Sequence, residues 1–315
     1  MTKIIIAGIG GVGGYFGGLL AKQFYNNNNV EINFLARGLH LNEIKKNGLT
    51  VIKGAESFVA KPNIITDNAS EIGIADFIII CTKSYDLEPL LEQLKPCINH
   101  QTILLSLLNG VDSCEKIKKV FPNNIVVEGC VYIVSRLKQV GVVENSGNIQ
   151  LLYFGLNNST SERLIFLEKL FIEAGIEATL FENIAPIIWE KFIFLSPIAT
   201  ITSYYNKNIG EILSNKESLL NINKLINEIT SIANAKNIGV SSEIVEKTMI
   251  KLSKLPFETT TSMHMDYKNH KAKTEIESLT NFVITEGIAH NIPTPTYEMM
   301  YKKLLEKAKH NNNQQ

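Results

Sequence analysis

Residues 4–22 read IIIAGIGGVGGYFGGLLAK. The isoleucine run is a short β-rich segment that stops at Gly8, and the glycine-studded stretch after it opens a helix. Gly8, Gly10 and Gly13 stand in the GxGxxG spacing. In that pattern the first glycine permits a tight turn and the second lets a diphosphate reach the backbone. The third lets helix and strand pack closely, and the helix N-terminus faces the negative charge. A lone GxGxxG is weak, but here the unit continues into a second strand, VEINFLA at 30–36. That context makes dinucleotide binding the stronger reading over a purely structural glycine turn.

The end of the second strand selects the dinucleotide. An NAD site offers Asp or Glu there to the ribose hydroxyls, whereas this chain has Leu35, Ala36 and Arg37. A guanidinium in that place suits a 2′-phosphate, so the expected cofactor is NADP (NADPH). The alternative is that Arg37 is a solvated loop charge.

Outward from this unit, short apolar runs alternate with amphipathic stretches. ADFIIICT at 75–82, a helix over 87–94, and QTILLSLLN at 101–109 continue the strand–helix–strand rhythm, which predicts a parallel sheet with helices on both faces. Further strands follow over 123–137 and 140–156, then a helix over 161–174 and a last strand, IEATLFE, at 176–182. After Glu182 the periodicity becomes helical: KESLLNINKLINEITSIANAKN, EIVEKTMIKLSKL and EIESLTNFVITEGIA repeat their apolar residues at three and four. The expected architecture is α/β, with an N-terminal Rossmann-type dinucleotide-binding domain over 1–181 followed by an all-helical C-terminal domain over 182–315. A chain of 315 residues suits two such domains.

Composition excludes several classes. Lys plus Arg and Asp plus Glu both number 31, so no basic face points to nucleic acid. Cys81, Cys97, Cys114 and Cys130 lie far apart, without CxxC or histidines at ligand spacing, and read as reduced thiols in a cytoplasmic protein rather than a metal site or disulfide framework. Glycines interrupt the N-terminal apolar stretch before it could act as a signal segment. The most apolar run, WEKFIFLSPIATITSYY at 189–205, carries Glu190 and Lys191 near its start and falls short of the roughly 18 charge-free residues of a membrane span, so no membrane partner is expected. NNNN at 26–29 reads as a surface loop and HNNNQQ at 310–315 as a frayed tail. His264 and His270 read as solvent-facing.

Seven segments together resemble the ketopantoate reductase (2-dehydropantoate 2-reductase) family over essentially the whole chain. They are GIGGVGG at 8–14, LAR at 35–37, CTKSYD at 81–86, LLNG at 107–110, WEKF at 189–192, TSMHMD at 261–266 and KTEIESL at 273–279. The resemblance implies NADPH-dependent reduction of 2-dehydropantoate to (R)-pantoate, on the way to pantothenate and coenzyme A. It makes Lys191 the general acid, Glu275 the carboxylate that helps hold substrate and lysine, Ser262 a substrate-carboxylate contact, Asn109 a contact to substrate and nicotinamide ribose, and Lys83 a cofactor contact.

Physical chemistry supports the lysine independently. A hydride delivered to a ketone leaves an alkoxide, and an adjacent cation stabilises that charge and can donate the proton. Trp189, Phe192 and Phe194 would partly desolvate Lys191 and lower its pKa. Read without the family, Lys191 is a snorkelling lysine on a helix flank, Lys83 a surface lysine, Asn109 the start of a turn, and Ser262 a polar loop residue. Thr274 with Glu277 reads as a capping box that puts Glu275 in a first helical turn.

Two departures bear on substrate. Asparagines expected four and eight residues after the catalytic lysine are replaced by Leu195 and Ala199. Ser196, Thr200 or Thr202 are the candidates to substitute. The runner-up readings are therefore a reductase of another branched 2-oxo acid and a non-catalytic NADP-binding sensor. The helical half has area for a homodimer surface, although no seam demands one.

Overall fold

The computed structural model describes residues 1–312, so the last three residues of the polar tail lie outside the described residues. Two compact units are present. The first comprises Met1–Leu108 and Ser113–Ile184; the second comprises Asn109–Asp112 and the chain from Ala185 onward.

The first unit runs β1 (Thr2–Ala7), α1 (Gly11–Gln23), β2 (Val30–Leu35), α2 (Gly38–Asn47), β3 (Leu49–Lys53), β4 (Glu56–Ala60), β5 (Ile64–Thr66), β6 (Phe77–Ile80), α3 (Leu87–Leu94), β7 (Ile103–Ser106), α4 (Ser113–Val120), β8 (Val126–Gln139), β9 (Val142–Gly155), α5 (Glu162–Glu173) and β10 (Glu177–Phe181). All ten strands form one sheet in the order β4-β3-β9-β8-β7-β6-β1-β2-β5, with β10 also on β9. The half around β1 is parallel, as the βαβ rhythm predicts: β1 pairs β2 and β6 in parallel, and β6 pairs β7 likewise. The sheet as a whole is mixed, because β8–β9 and β3–β4 are antiparallel hairpins.

Apolar residues alternate between two cores, one on each face of the sheet. Ile4 and Ile6 join Phe16, Leu20, Phe34 and Phe154 on one face. Ile5 and Ala7 join Leu35, Ile78, Leu91 and Ile117 on the other. A strand covered on both faces has no polar side, which is why IIIA is uninterrupted.

The second unit contains α6 (Ala185–Tyr205), α7 (Ile209–Ser214), α8 (Lys216–Ala235), α9 (Ile244–Ser253), α10 (Ser262–Lys268), a π-helical turn (Glu277–Asn281), α11 (Phe282–Ala289) and α12 (Pro295–Asn312). Helix α6 forms the axis of its core: Phe192, Ile193 and Ile201 pack with Ile222, Leu225, Ile229, Leu279 and Tyr297. Phe192 meets both Trp189 and Phe282 edge-on at 5.7 Å between ring centroids. With 21 residues, α6 is the one helix among the described residues long and apolar enough to cross a membrane by length and composition, Glu190 and Lys191 notwithstanding. Most of it is buried inside this unit, which accounts for its apolar character.

Three local expectations are corrected. The Thr274–Glu277 capping box does not form: the Glu277 carboxylate instead accepts from Asn281 Nδ2 and Tyr301 Oη. The tail is helical as far as Asn312, within α12. His264 is buried rather than solvent-facing, whereas His270 is exposed. The short helix α10 turns His264 inward, where Nε2 meets Asn206 Oδ1 at 3.0 Å and Nδ1 meets the Thr260 hydroxyl. Because Asn206 Oδ1 is an acceptor, Nε2 carries the proton and Nδ1 accepts from threonine.

Burial lowers the His264 pKa, with Lys268 and Lys307 adding to the shift and Glu211 opposing it. The folded state therefore favours the neutral ring. Its contribution to stability is present above the unfolded value of about 6.5 and is lost as pH falls through the lowered folded value. Urea unfolding at about pH 7.5 and about pH 5.5 checks this: His264→Gln should show a smaller acid-side fall in midpoint than the wild type.

Candidate active site

At the carboxyl end of β1 the chain turns on Gly8, whose φ of +100° favours glycine and whose N–H donates to Leu35 O at 3.1 Å. Helix α1 then starts after Gly10 with no side-chain cap and no acid in its first turn. A methyl group on Gly13 would stand 2.1 Å from Gly8 O and 2.8 Å from Cys81 Cβ, so the third glycine is the seam where helix, turn and β6 meet. By contrast, nothing lies within 4 Å of the position a Cβ on Gly10 would take. An uncapped helix N-terminus with open space over its second glycine fits a dinucleotide diphosphate. Ser135, which the motif did not reveal, braces the turn from β8 by donating its hydroxyl to Gly11 O at 2.8 Å.

Arg37 is the residue before α2, with its side chain 80% exposed. Its Nη2 donates to the carboxylate of Asp86. An exposed ion pair of this kind contributes about 0–1 kcal/mol, so the guanidinium stays accessible to a phosphate dianion. Asp86 belongs to the same CTKSYD segment as Lys83, and Lys83 is half-buried just beyond β6, before a single 3₁₀ turn. The four cysteines are free thiols, and burial raises the Cys81 pKa strongly.

The second unit gathers the remaining residues. Lys191, half-buried on α6, donates to Asn109 Oδ1 at 3.1 Å. Asn109 reaches it because Asn109–Asp112 is the one excursion of the N-terminal half into this unit. The excursion lies against the π-helical turn: a Cβ on Gly110 would stand 3.4 Å from Ser278 O and 3.3 Å from Asp112 Oδ1. Glu275, just before that turn, is only 2% exposed. Ser262 is exposed in the first turn of α10, with its Oγ 3.5 Å from Glu275 Oε2, the long limit of a hydrogen bond. The structure thus pairs Lys191 with Asn109 and Ser262 with Glu275.

The three hydroxyls considered as substitutes for the missing asparagines are engaged within the core. Ser196 donates to Leu279 O at 2.6 Å, Thr200 meets Thr280 Oγ1 at 2.8 Å, and Thr202 donates to Ile198 O at 2.7 Å. All three side chains are 0% exposed. They do not replace the polar groups lost at Leu195 and Ala199.

A glycine-rich turn suited to a dinucleotide, an arginine at the end of the second strand, and a helix lysine hydrogen-bonded to an asparagine of a distant loop are features a nicotinamide-dependent oxidoreductase needs. Comparison with known proteins makes this specific. Residues 4–159 match the family model described as ketopantoate reductase PanE/ApbA, and residues 183–308 match its C-terminal counterpart. The chain belongs to the ketopantoate reductase family and is an NADP-dependent oxidoreductase.

The chain is 33% identical to the crystallised 2-dehydropantoate 2-reductase of Porphyromonas gingivalis, with a TM-score of 0.84 and coverage of 96% of this chain and 99% of that one. It is 28% identical over 305 residues to YkpB of Bacillus subtilis, described as an uncharacterized oxidoreductase, covering 96% of this chain and 97% of the relative. It is 27% identical over 297 residues to a 2-dehydropantoate 2-reductase of Streptococcus pyogenes, covering 94% of this chain and 95% of that protein.

The two glycines separate fold from binding. Gly10→Ala should leave the melting temperature near wild type, because the added methyl meets nothing, while weakening NADPH binding in a fluorescence titration. Gly13→Ala should cost about 1–3 kcal/mol or more in urea unfolding, because the methyl meets backbone.

Proposed function

We propose that the chain reduces 2-dehydropantoate to (R)-pantoate with NADPH, within pantothenate and coenzyme A synthesis. The observation that carries the reading is the Lys191–Asn109 hydrogen bond on a buried helix, at the position of the family's lysine motif. The two-domain assignment, with cofactor binding over 1–181 and substrate chemistry over 182–315, belongs to the same reading.

When bound, NADPH supplies the hydride. On the protein side, Gly8, Gly10 and Gly13 accommodate the diphosphate, Arg37 takes the 2′-phosphate and Lys83 adds a cation to the cofactor site. Ser262 and Glu275 hold the 2-oxo acid. Asn109 accepts a hydrogen bond from Lys191 and so aims the ammonium. Lys191 then donates a proton to the oxygen that becomes the alcohol and is reprotonated from solvent. The reading takes the enzyme to be cytoplasmic, acting on a small-molecule 2-oxo acid, with a homodimer as the assembly to test.

A second reading, reduction of another branched 2-oxo acid, is favoured by Leu195 and Ala199 together with the internal engagement of Ser196, Thr200 and Thr202. Fewer polar groups on α6 mean weaker selection for a substrate hydroxyl.

NADPH oxidation against a panel of 2-oxo acids separates the readings. Fastest turnover of 2-dehydropantoate supports the first, and preference for a substrate lacking its hydroxyl supports the second. NADPH binding without turnover of any member supports a sensor. Lys191→Ala should lower kcat roughly 100- to 10,000-fold and leave NADPH affinity near wild type; near-normal turnover removes Lys191 from proton transfer. Arg37→Ala should weaken NADPH much more than NADH, and equal loss for both would contradict a 2′-phosphate contact.

A further inference from the structure

Where α6 meets the π-helical turn, the core of the second unit carries a line of buried hydroxyls. There Ser196, Thr200, Ser278 and Thr280 are all 0% exposed. A π-helical turn is wider than an α-helical one: the Phe282 N–H reaches back five residues to Glu277 O. Such turns cost stability in isolation and need support from outside.

Helix α6 provides that support at two adjacent points. The Ser196 hydroxyl donates to Leu279 O at 2.6 Å. Its single proton is used there, so the 2.7 Å contact with Tyr297 has the tyrosine hydroxyl donating to Ser196 Oγ. One turn further on, Thr200 and Thr280 join their hydroxyls at 2.8 Å. Ser196 and Thr200, four apart, lie on one face of α6 and grip two consecutive residues of the π-helical turn. Thr202, bonded within its own helix, has no part in this.

The gripped turn is connected to both proposed site pairs. Glu275 O accepts from Leu279 N at 3.0 Å and from Ser278 Oγ at 3.3 Å, so the backbone that carries the buried carboxylate is tied to the turn. Ser278 O backs Gly110, the neighbour of Asn109 to which Lys191 donates. Lys191 itself is on α6, about 14 Å along the axis from Thr200 at the rise of an α-helix.

We infer that Ser196 and Thr200 are positioning residues: through Leu279 O and Thr280 Oγ1 they fix the π-helical turn on α6 and thereby hold Glu275 in register with Lys191. The inference rests on the assignment of Lys191 and Glu275 to the reaction. It goes beyond that assignment by giving two buried hydroxyls a role in catalytic geometry without contact to substrate.

Three variants test it, with wild type measured in parallel. Thr200→Val should lower kcat about 10- to 100-fold, the scale of a small misplacement of reacting groups. NADPH affinity should stay near wild type, the melting temperature should fall because the Thr280 hydroxyl loses its partner, and amide exchange over 275–281 should quicken. Thr200→Ser should restore kcat. The double variant Thr200→Val with Thr280→Val removes both partners and should regain much of the lost melting temperature while kcat stays low, because the polar tie is gone although the packing is mended.

Recovery of kcat together with melting temperature in the double variant would reduce the pair to core packing and overturn the inference. Unchanged kcat and unchanged exchange over 275–281 in Thr200→Val would overturn it as well. A wild type that binds NADPH but turns over no 2-oxo acid sinks the functional reading and this inference with it, an outcome told apart by being visible before any variant is made.

Discussion

An ammonium group carried by the long apolar helix α6 is the constraint on which the second unit depends. Placing a cation among apolar side chains costs several kcal/mol unless polar groups receive it (order of magnitude from). Lys191 is received by the carbonyl oxygen of Asn109, which leaves the N-terminal half of the chain to do so. The apolar character of α6 follows from its central place, where Phe192, Ile193 and Ile201 face α8 and the π-helical turn. Its Ser196 and Thr200 hydroxyls are then engaged by the π-helical turn, and the positions where asparagines were expected are Leu195 and Ala199.

The first unit is organised around a steric limit. Helix α1 can approach the turn after β1 only because Gly13 has no side chain, since the next atom would meet Gly8 O. That approach brings the uncapped N-terminus of α1 to the carboxyl end of the parallel strands, where dinucleotide sites form. Ser135 ties the same turn to β8, so a residue far along the sequence maintains it.

Much of the fold was legible because its signals are local. The glycine spacing marks the turn, the helix expected over 87–94 is α3 (Leu87–Leu94), and the three- and four-residue repeats of the second half are helices. The pairing direction of β8 with β9 and of β3 with β4 was not legible, because apolar composition reports burial and not the strand opposite. The inward turn of His264 depends on Asn206 and Thr260 arriving from other segments. The π-helical turn has the apolar spacing of an α-helix, and its support comes from hydroxyls on α6 that a one-dimensional pattern cannot pair. Of the proposed site, the residue types were legible from the motifs, whereas Ser135 and the contacts made by Asp86 and Ser278 come only from the tertiary structure.

Under the proposed function, a hydride passes from NADPH to the ketone carbon of 2-dehydropantoate while Lys191 protonates the oxygen. Incubating the protein with 2-dehydropantoate and NADPH deuterated at the transferable nicotinamide position, then analysing the product by mass spectrometry, tests it directly. Pantoate carrying the deuterium on its hydroxyl-bearing carbon is the expected result. Bound NADPH with no labelled product, or product carrying only solvent hydrogen at that carbon, would contradict it.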